Sequence, residues 1–171
     1  MGLGKTVQTL AHLAIEKDQG RLTKPALVVV PTSLLTNWVE EANRFAPELG
    51  VLVLYGRDRF DCQGQLAQVD LIITTYTLVQ KDFQFWSTQD LQMLILDEAH
   101  NIKNSRTKVA RSVKRMNADF KLCLTGTPLE NHLGELWSLF DFLMPGFLES
   151  ETVFKRLYRN PIEKEGVTEI A

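Results

Sequence analysis

Cysteine is scarce in this chain: Cys62 and Cys123 are the two among 171 residues. A disulfide framework is therefore not expected to hold the fold, and a chain of this length, enough for one domain, buries a core without staples or a structural metal. Cys123 falls inside the apolar run "FKLCLTG", where a thiol packs more readily than it reacts. This usage predicts a reducing, intracellular setting. Long hydrophobic runs are missing too. None approaches the ~20 residues that cross a bilayer, so neither a membrane span nor a membrane partner is expected. Nor is there an excess of one charge, since 19 Lys and Arg face 21 Asp and Glu for a formal net charge of −2. A nucleic acid would have to be held by a local surface and not by bulk charge. Internal repeats and low-complexity stretches are absent.

What the chain does have is alternation. "ALVVV", "VLVLY", "DLIITTY", "LQMLILDE" and "FKLCLTG" are short runs apolar on both faces, as buried strands of a mostly parallel sheet are. Helix-period segments lie between them. Leu35, Trp38, Ala42 and Phe45 recur at helical spacing, as do Val109, Val113 and Met116. Leu133, Leu136, Leu139, Phe140 and Leu143 form a wide apolar face that Pro145 and Gly146 close. Strand and helix in alternation predict an α/β domain with helices on both faces of the sheet. "GRDRFDCQGQ" is polar and reads as a surface loop.

Three segments carry chemistry. In "MGLGKTVQTL", Gly2 and Gly4 let backbone N–H groups point at phosphate oxygens, Lys5 reaches the outer phosphates, and Thr6 offers its hydroxyl to Mg²⁺. A helix from about Val7 would aim its positive end at the same anion. The competing reading is a glycine turn beside an incidental Lys-Thr. In "LILDEAH", Asp97 and Glu98 stand at a strand end, placed for one carboxylate on the metal and a second on the attacking water. An acidic helix start would look the same. In "LTGTPLEN", Thr125 and Thr127 sit where another strand reaches the same edge, while Thr127, Pro128 and Glu130 also read as a helix-capping box.

These blocks, with "VVVPTSLLTNWVEEANRF", "DLIITTYTLV" and "LTGTPLENHLGELWSLFDFLMPGFL", resemble the ordered motifs of the Swi/Snf family of helicase-like ATPases. The resemblance runs from Met1 to about Gly166. It implies a RecA-like P-loop lobe, with ATP and Mg²⁺ as cofactors and duplex DNA as a partner held through its backbone. Gly2, Leu3, Gly4, Lys5, Thr6 and Gln8 then surround the nucleotide, with Thr6 and Asp97 on the metal. Glu98 becomes the catalytic base, and His100 relays nucleotide state to Thr125, Gly126 and Thr127. Pro31, Thr32, Ser33 and Asn37 in one segment, and Thr74, Thr75 and Tyr76 in another, match places that touch one DNA strand, as hydroxyls, amides and helix N-termini can do without reading bases. Trp38 has a plainer reading as core. Lys103 opens a basic stretch with Arg106, Lys108, Arg111, Lys114 and Arg115, which is either a solvated helix face or a phosphate contact.

The family's first strand and base pocket lie upstream of its phosphate loop, and its second RecA-like lobe, with the arginine fingers, lies downstream. Met1 is therefore expected to be an internal methionine of a longer protein. Residues 1–147 would form an incomplete first lobe and 148–171 the start of a helical connection. The sheet would keep one exposed position, which favours self-association of the fragment. Two other readings stay open: a DEAH-type RNA helicase, against which "TGT" in place of Ser-Ala-Thr speaks, and a non-catalytic nucleotide- or DNA-binding scaffold.

Overall fold

The computed structural model describes residues 3–126, 133–146 and 150–156. The first helix, α1 (Leu3–Asp18), leads into strand β1 (Ala26–Val30), a 3₁₀ turn at Thr32–Leu34 and α2 (Leu35–Phe45). Next come β2 (Val51–Val53), a 3₁₀ stretch at Gln63–Gln68, β3 (Leu71–Thr75), and the short helices α3 (Tyr76–Lys81) and α4 (Phe83–Ser87). Strand β4 (Asp90–Leu96), a 3₁₀ turn at Ala99–Ile102, α5 (Lys108–Lys114), β5 (Asn117–Cys123), α6 (Leu133–Leu143) and α7 (Glu151–Phe154) complete the order.

The five strands form one sheet in the order β2-β3-β1-β4-β5, and every pairing is parallel. β1 and β3 are buried at all five positions, as expected of strands covered on both faces. Alternation then sorts their side chains. Val28, Val30, Leu71, Ile73 and Ile95 face a core closed by Leu10 and Leu13 of α1 and by Leu35, Trp38 and Ala42 of α2. Leu27, Val29, Ile72, Leu94 and Leu96 face the opposite core, closed by Val79, Trp86, Ala110, Val113, Leu139 and Phe142 from α3 to α6. The α/β architecture with helices on both faces is thus present, and the sheet is wholly parallel among the described residues.

Local chemistry sets several boundaries. Thr75 caps α3 by accepting the Leu78 N–H, and Thr107 caps α5 by accepting the Ala110 N–H. Helix α1 begins at Leu3, so Gly4, Lys5 and Thr6 are already helical and the helix does not wait for Val7. "VLVLY" pairs over Val51–Val53 alone, and the run into Asp97 ends its pairing at Leu96. Phe45 ends its helix 47% exposed instead of completing the apolar face. The 56–65 segment is mostly exposed, yet it is tied down where Arg59 makes a two-point ion pair with Asp82 at 2.6 and 2.8 Å. Among the described residues β5 is an edge strand, paired with β4, and its Phe120 is 60% exposed. No described helix is long and apolar enough to cross a membrane.

Candidate nucleotide site at the strand ends

In a parallel sheet all strand carboxyl ends reach one edge, and backbone groups left unpaired there are free to bind ligand. The segment after β4 is pinned across this edge. Asp97 N–H donates to the Val29 carbonyl of β1 (2.9 Å), Ala99 N–H to the Leu124 carbonyl after β5 (2.9 Å), and Leu124 N–H to the Leu96 carbonyl (2.8 Å).

Asp97 is buried and both its carboxylate oxygens are engaged: Oδ1 accepts the Glu98 N–H (2.9 Å) and Oδ2 accepts the indole N–H of Trp38 (2.7 Å). Its carbonyl accepts the Tyr76 hydroxyl (2.6 Å). Burial, before the nearby acids, raises the Tyr76 hydroxyl above its ordinary pKa, so it stays a donor. Glu98 is the one non-glycine residue with positive φ among the described residues (φ 50, ψ 55). Its carbonyl accepts both the Asn101 N–H (3.0 Å) and the Asn101 side-chain amide (2.8 Å), which hold the turn. His100 Nδ1 lies 3.3 Å from Glu98 Oε2, outside hydrogen-bonding geometry.

Lys5, in the first turn of α1, donates from Nζ to the Thr125 carbonyl, and a β-carbon on Gly126 would meet the same Nζ at 3.4 Å. The fold thus joins the Lys-Thr segment to the Thr-Gly segment across the sheet edge. Thr6 is buried, Gln8 is exposed, and the Lys5 carbonyl accepts the Thr9 hydroxyl (2.8 Å). A β-carbon on Gly4 would enter open space. Gly2 and Thr127, like Pro128 and Glu130 of the capping box, lie outside the described residues, and the side chain of Leu3 does too.

The residues expected against nucleic acid divide. Thr32 and Ser33 are exposed on the 3₁₀ turn after β1, with Pro31 and Asn37 half-buried beside them. Thr74, Thr75 and Tyr76 turn inward: Thr74 donates to the Leu54 carbonyl (2.9 Å), Thr75 caps α3, and Tyr76 holds Asp97. Contact from that segment would fall to its main chain. Lys103 is exposed, 3.6 Å from Glu135. Cys123 is half-buried, and burial pushes its thiol up to about 12, so it packs as an inert thiol.

Sequence reasoning missed the role of Trp38. Its burial was legible from helical spacing, but its acceptor was not. The available signal was chemical, because a buried indole N–H needs a partner. Glu41, one turn further along α2, is also buried. Burial, with a smaller addition from the Asp97 charge, raises its carboxyl above the usual range against the opposing effect of Asn37.

The described residues contain no cluster of three His, Cys, Asp or Glu side chains able to hold a metal. Mg²⁺ needs no such cage, since it takes one or two protein oxygens and completes its shell with phosphates and water. Thr6 and Asp97 fit that donor set, and each Asp97 oxygen retains a lone pair beyond the bond it accepts.

Comparison with known proteins shows the family and the fold. The family model described as "SNF2-related domain" matches residues 1–171. YwqA of Bacillus subtilis is 42% identical over 168 residues, covering 96% of this chain and 18% of its own length. The TATA-binding protein-associated factor MOT1 of Saccharomyces cerevisiae is 40% identical over 175 residues, covering 95% of this chain and 9% of its own. The chain therefore spans under a fifth of these relatives. Among solved structures, the Sulfolobus solfataricus SWI2/SNF2 ATPase core in complex with dsDNA superposes with a TM-score of 0.87 at 40% identity, over 96% of this chain and 34% of that one.

Proposed function

The chain belongs to the SNF2-related domain family, and we propose that it is the first ATPase lobe of an enzyme that couples ATP hydrolysis to movement along duplex DNA, remodelling protein–DNA complexes. The observation that carries the reading is the gathering of Lys5, Thr125, Asp97 and Glu98 at one edge of a parallel sheet. That edge offers a cation, a buried carboxylate and a second, accessible carboxylate on a constrained turn, which is the set phosphoryl transfer from a nucleotide needs.

Lys5 exchanges its internal acceptor, the Thr125 carbonyl, for the outer phosphates. Binding of nucleotide then releases the Thr125–Gly126 turn, a direct route from the nucleotide to the coupling segment. Thr6 and Asp97 would hold Mg²⁺, which would supply charge that neutralises the phosphates. Glu98 accepts the proton of the attacking water as its oxygen bonds to the terminal phosphorus and the bridging P–O bond breaks toward ADP. His100, 3.3 Å from Glu98, relays nucleotide state to the Thr125–Thr127 segment. Thr32 and Ser33, with Pro31 and Asn37, hold phosphates of one DNA strand without reading bases.

The test has two parts. Calorimetric titration of the chain with Mg-ATP reads the site directly. In a protein carrying this chain together with a second RecA-like lobe, phosphate release is compared with duplex DNA and duplex RNA at fixed salt. Stimulation by DNA, with affinity falling steeply as salt rises, is expected. Equal or greater stimulation by RNA would overturn the DNA assignment in favour of an RNA helicase. No nucleotide binding and no turnover would leave a scaffold.

A further inference from the structure

We propose that Trp38 is a positioning residue for the Asp97 carboxylate, with Tyr76 holding the main chain of the same residue, so that the two segments expected against nucleic acid both end on the residue expected to hold the metal. The inference rests on the site reading above and deepens it.

Three observations carry it. Trp38 is fully buried, and its indole N–H meets a carboxylate oxygen 59 residues away at 2.7 Å, with no main-chain carbonyl as intermediary. A hydrogen bond to an ionised acceptor is short and about twice as strong as a neutral one. Second, the two oxygens of Asp97 are held by different donors, Trp38 on Oδ2 and the Glu98 N–H on Oδ1. One donor would allow the carboxylate to swing, whereas two on opposite oxygens fix its plane and leave the remaining lone pairs in set directions. Third, the main chain of Asp97 is held on both sides, its N–H by the Val29 carbonyl and its carbonyl by Tyr76 at 2.6 Å.

Packing alone does not account for this. Phe or Leu would fill an apolar site on α2, and neither brings a donor. Trp38 stands in the first turn of α2, directly after the exposed Thr32–Ser33 turn, and Tyr76 opens α3 directly after β3. A shift of either segment under load reaches Asp97 through a single hydrogen bond. The two contacts therefore give nucleic acid a short mechanical path to metal affinity.

The test replaces Trp38 by 3-benzothienylalanine, which keeps the ring shape and puts sulfur where the N–H was. Mn²⁺ is the probe, because it takes the same oxygen ligands as Mg²⁺ and its binding is read by electron paramagnetic resonance. Mn²⁺ affinity is measured with ATP present at millimolar concentration, alongside metal-free ATP affinity and thermal melting. Loss of an outer-shell partner of a metal ligand typically weakens the metal about 10–100-fold. The expected result is a weakening of at least ~10-fold in Mn²⁺ affinity, with metal-free ATP affinity unchanged and a cooperative melt, lowered by the lost hydrogen bond, that shows the variant folded. Tyr76→Phe, close to volume-conserving, is expected to weaken Mn²⁺ in the same direction and less. Unchanged Mn²⁺ affinity in the folded benzothienyl variant would make Trp38 a core residue only and leave the ATPase reading standing. A parent chain whose Mn²⁺ binding does not respond to ATP would remove both.

Discussion

The left-handed backbone at Glu98 gives a sign test that ordinary turns would fail. Its φ of 50 and ψ of 55 are imposed by four hydrogen bonds around it: Glu98 N–H to Asp97 Oδ1, the two Asn101 donors to the Glu98 carbonyl, and Ala99 N–H to the Leu124 carbonyl. For a residue with a β-carbon this conformation costs roughly 1–2 kcal/mol. Elsewhere glycine is worse than alanine by about 0.5–1 kcal/mol, because its unfolded chain is freer. Comparing Glu98→Gly with Glu98→Ala cancels the loss of the carboxylate and of its approach to His100, since both variants lack it. Only the β-carbon differs. Subtracting the entropy penalty from the strain leaves glycine ahead by about 0–1.5 kcal/mol, centred at ~0.75 kcal/mol. For a domain of this size, 1 kcal/mol corresponds to roughly 2–4 °C in melting temperature. Differential scanning calorimetry of the two variants at one pH decides it. Glu98→Gly should melt about 1–4 °C above Glu98→Ala, and an alanine variant melting at or above the glycine one would refute the strain argument. A confirmed difference also means that the chain holds its proposed base in a conformation its own stability opposes, as strained functional residues are.

Further outcomes follow from the same structure. Glu98→Gln, in a protein with both lobes, should keep ATP binding and lose turnover; substantial phosphate release by it would remove Glu98 as the base. Lys121 is half-buried on β5 beneath Phe142, and burial lowers its ammonium below the ordinary lysine range. A depressed folded pKa means the unfolded chain holds the proton longer, so stability rises with pH between the folded and unfolded values. Lys121→Met should therefore raise the melting temperature most at neutral pH, with the gain shrinking as pH nears 10.5; an advantage flat across that range would show burial is not its cause. Phe120→Lys on the β5 edge should reduce self-association of the chain in sedimentation velocity, because edge charges discourage strand addition. Identical sedimentation of both proteins at high concentration would clear that edge.

Sequence alone determined the architecture and the chemistry-bearing blocks. Runs such as Ala26–Val30 and Leu71–Thr75 are apolar at every position because both faces of the sheet are covered, and that pattern is local. The acids at Asp97 and Glu98 and the Lys-Thr pair at Lys5 and Thr6 were legible for the same reason, since each is a short pattern of residue types at fixed spacing. Tertiary structure alone decided which partners those groups meet. The family resemblance sets Thr74, Thr75 and Tyr76 against DNA, yet in the folded domain their hydroxyls turn inward to the Leu54 carbonyl, the Leu78 N–H and the Asp97 carbonyl. Trp38 reads as core by spacing, and only the packing of α2 onto one face of the closed sheet brings its N–H to Asp97. Lys5 meets Thr125 across 120 residues. Hydrophobic period is written in neighbours a few residues apart, whereas hydrogen-bond partners depend on sheet order, register and helix placement, and those exist only once the whole domain has closed.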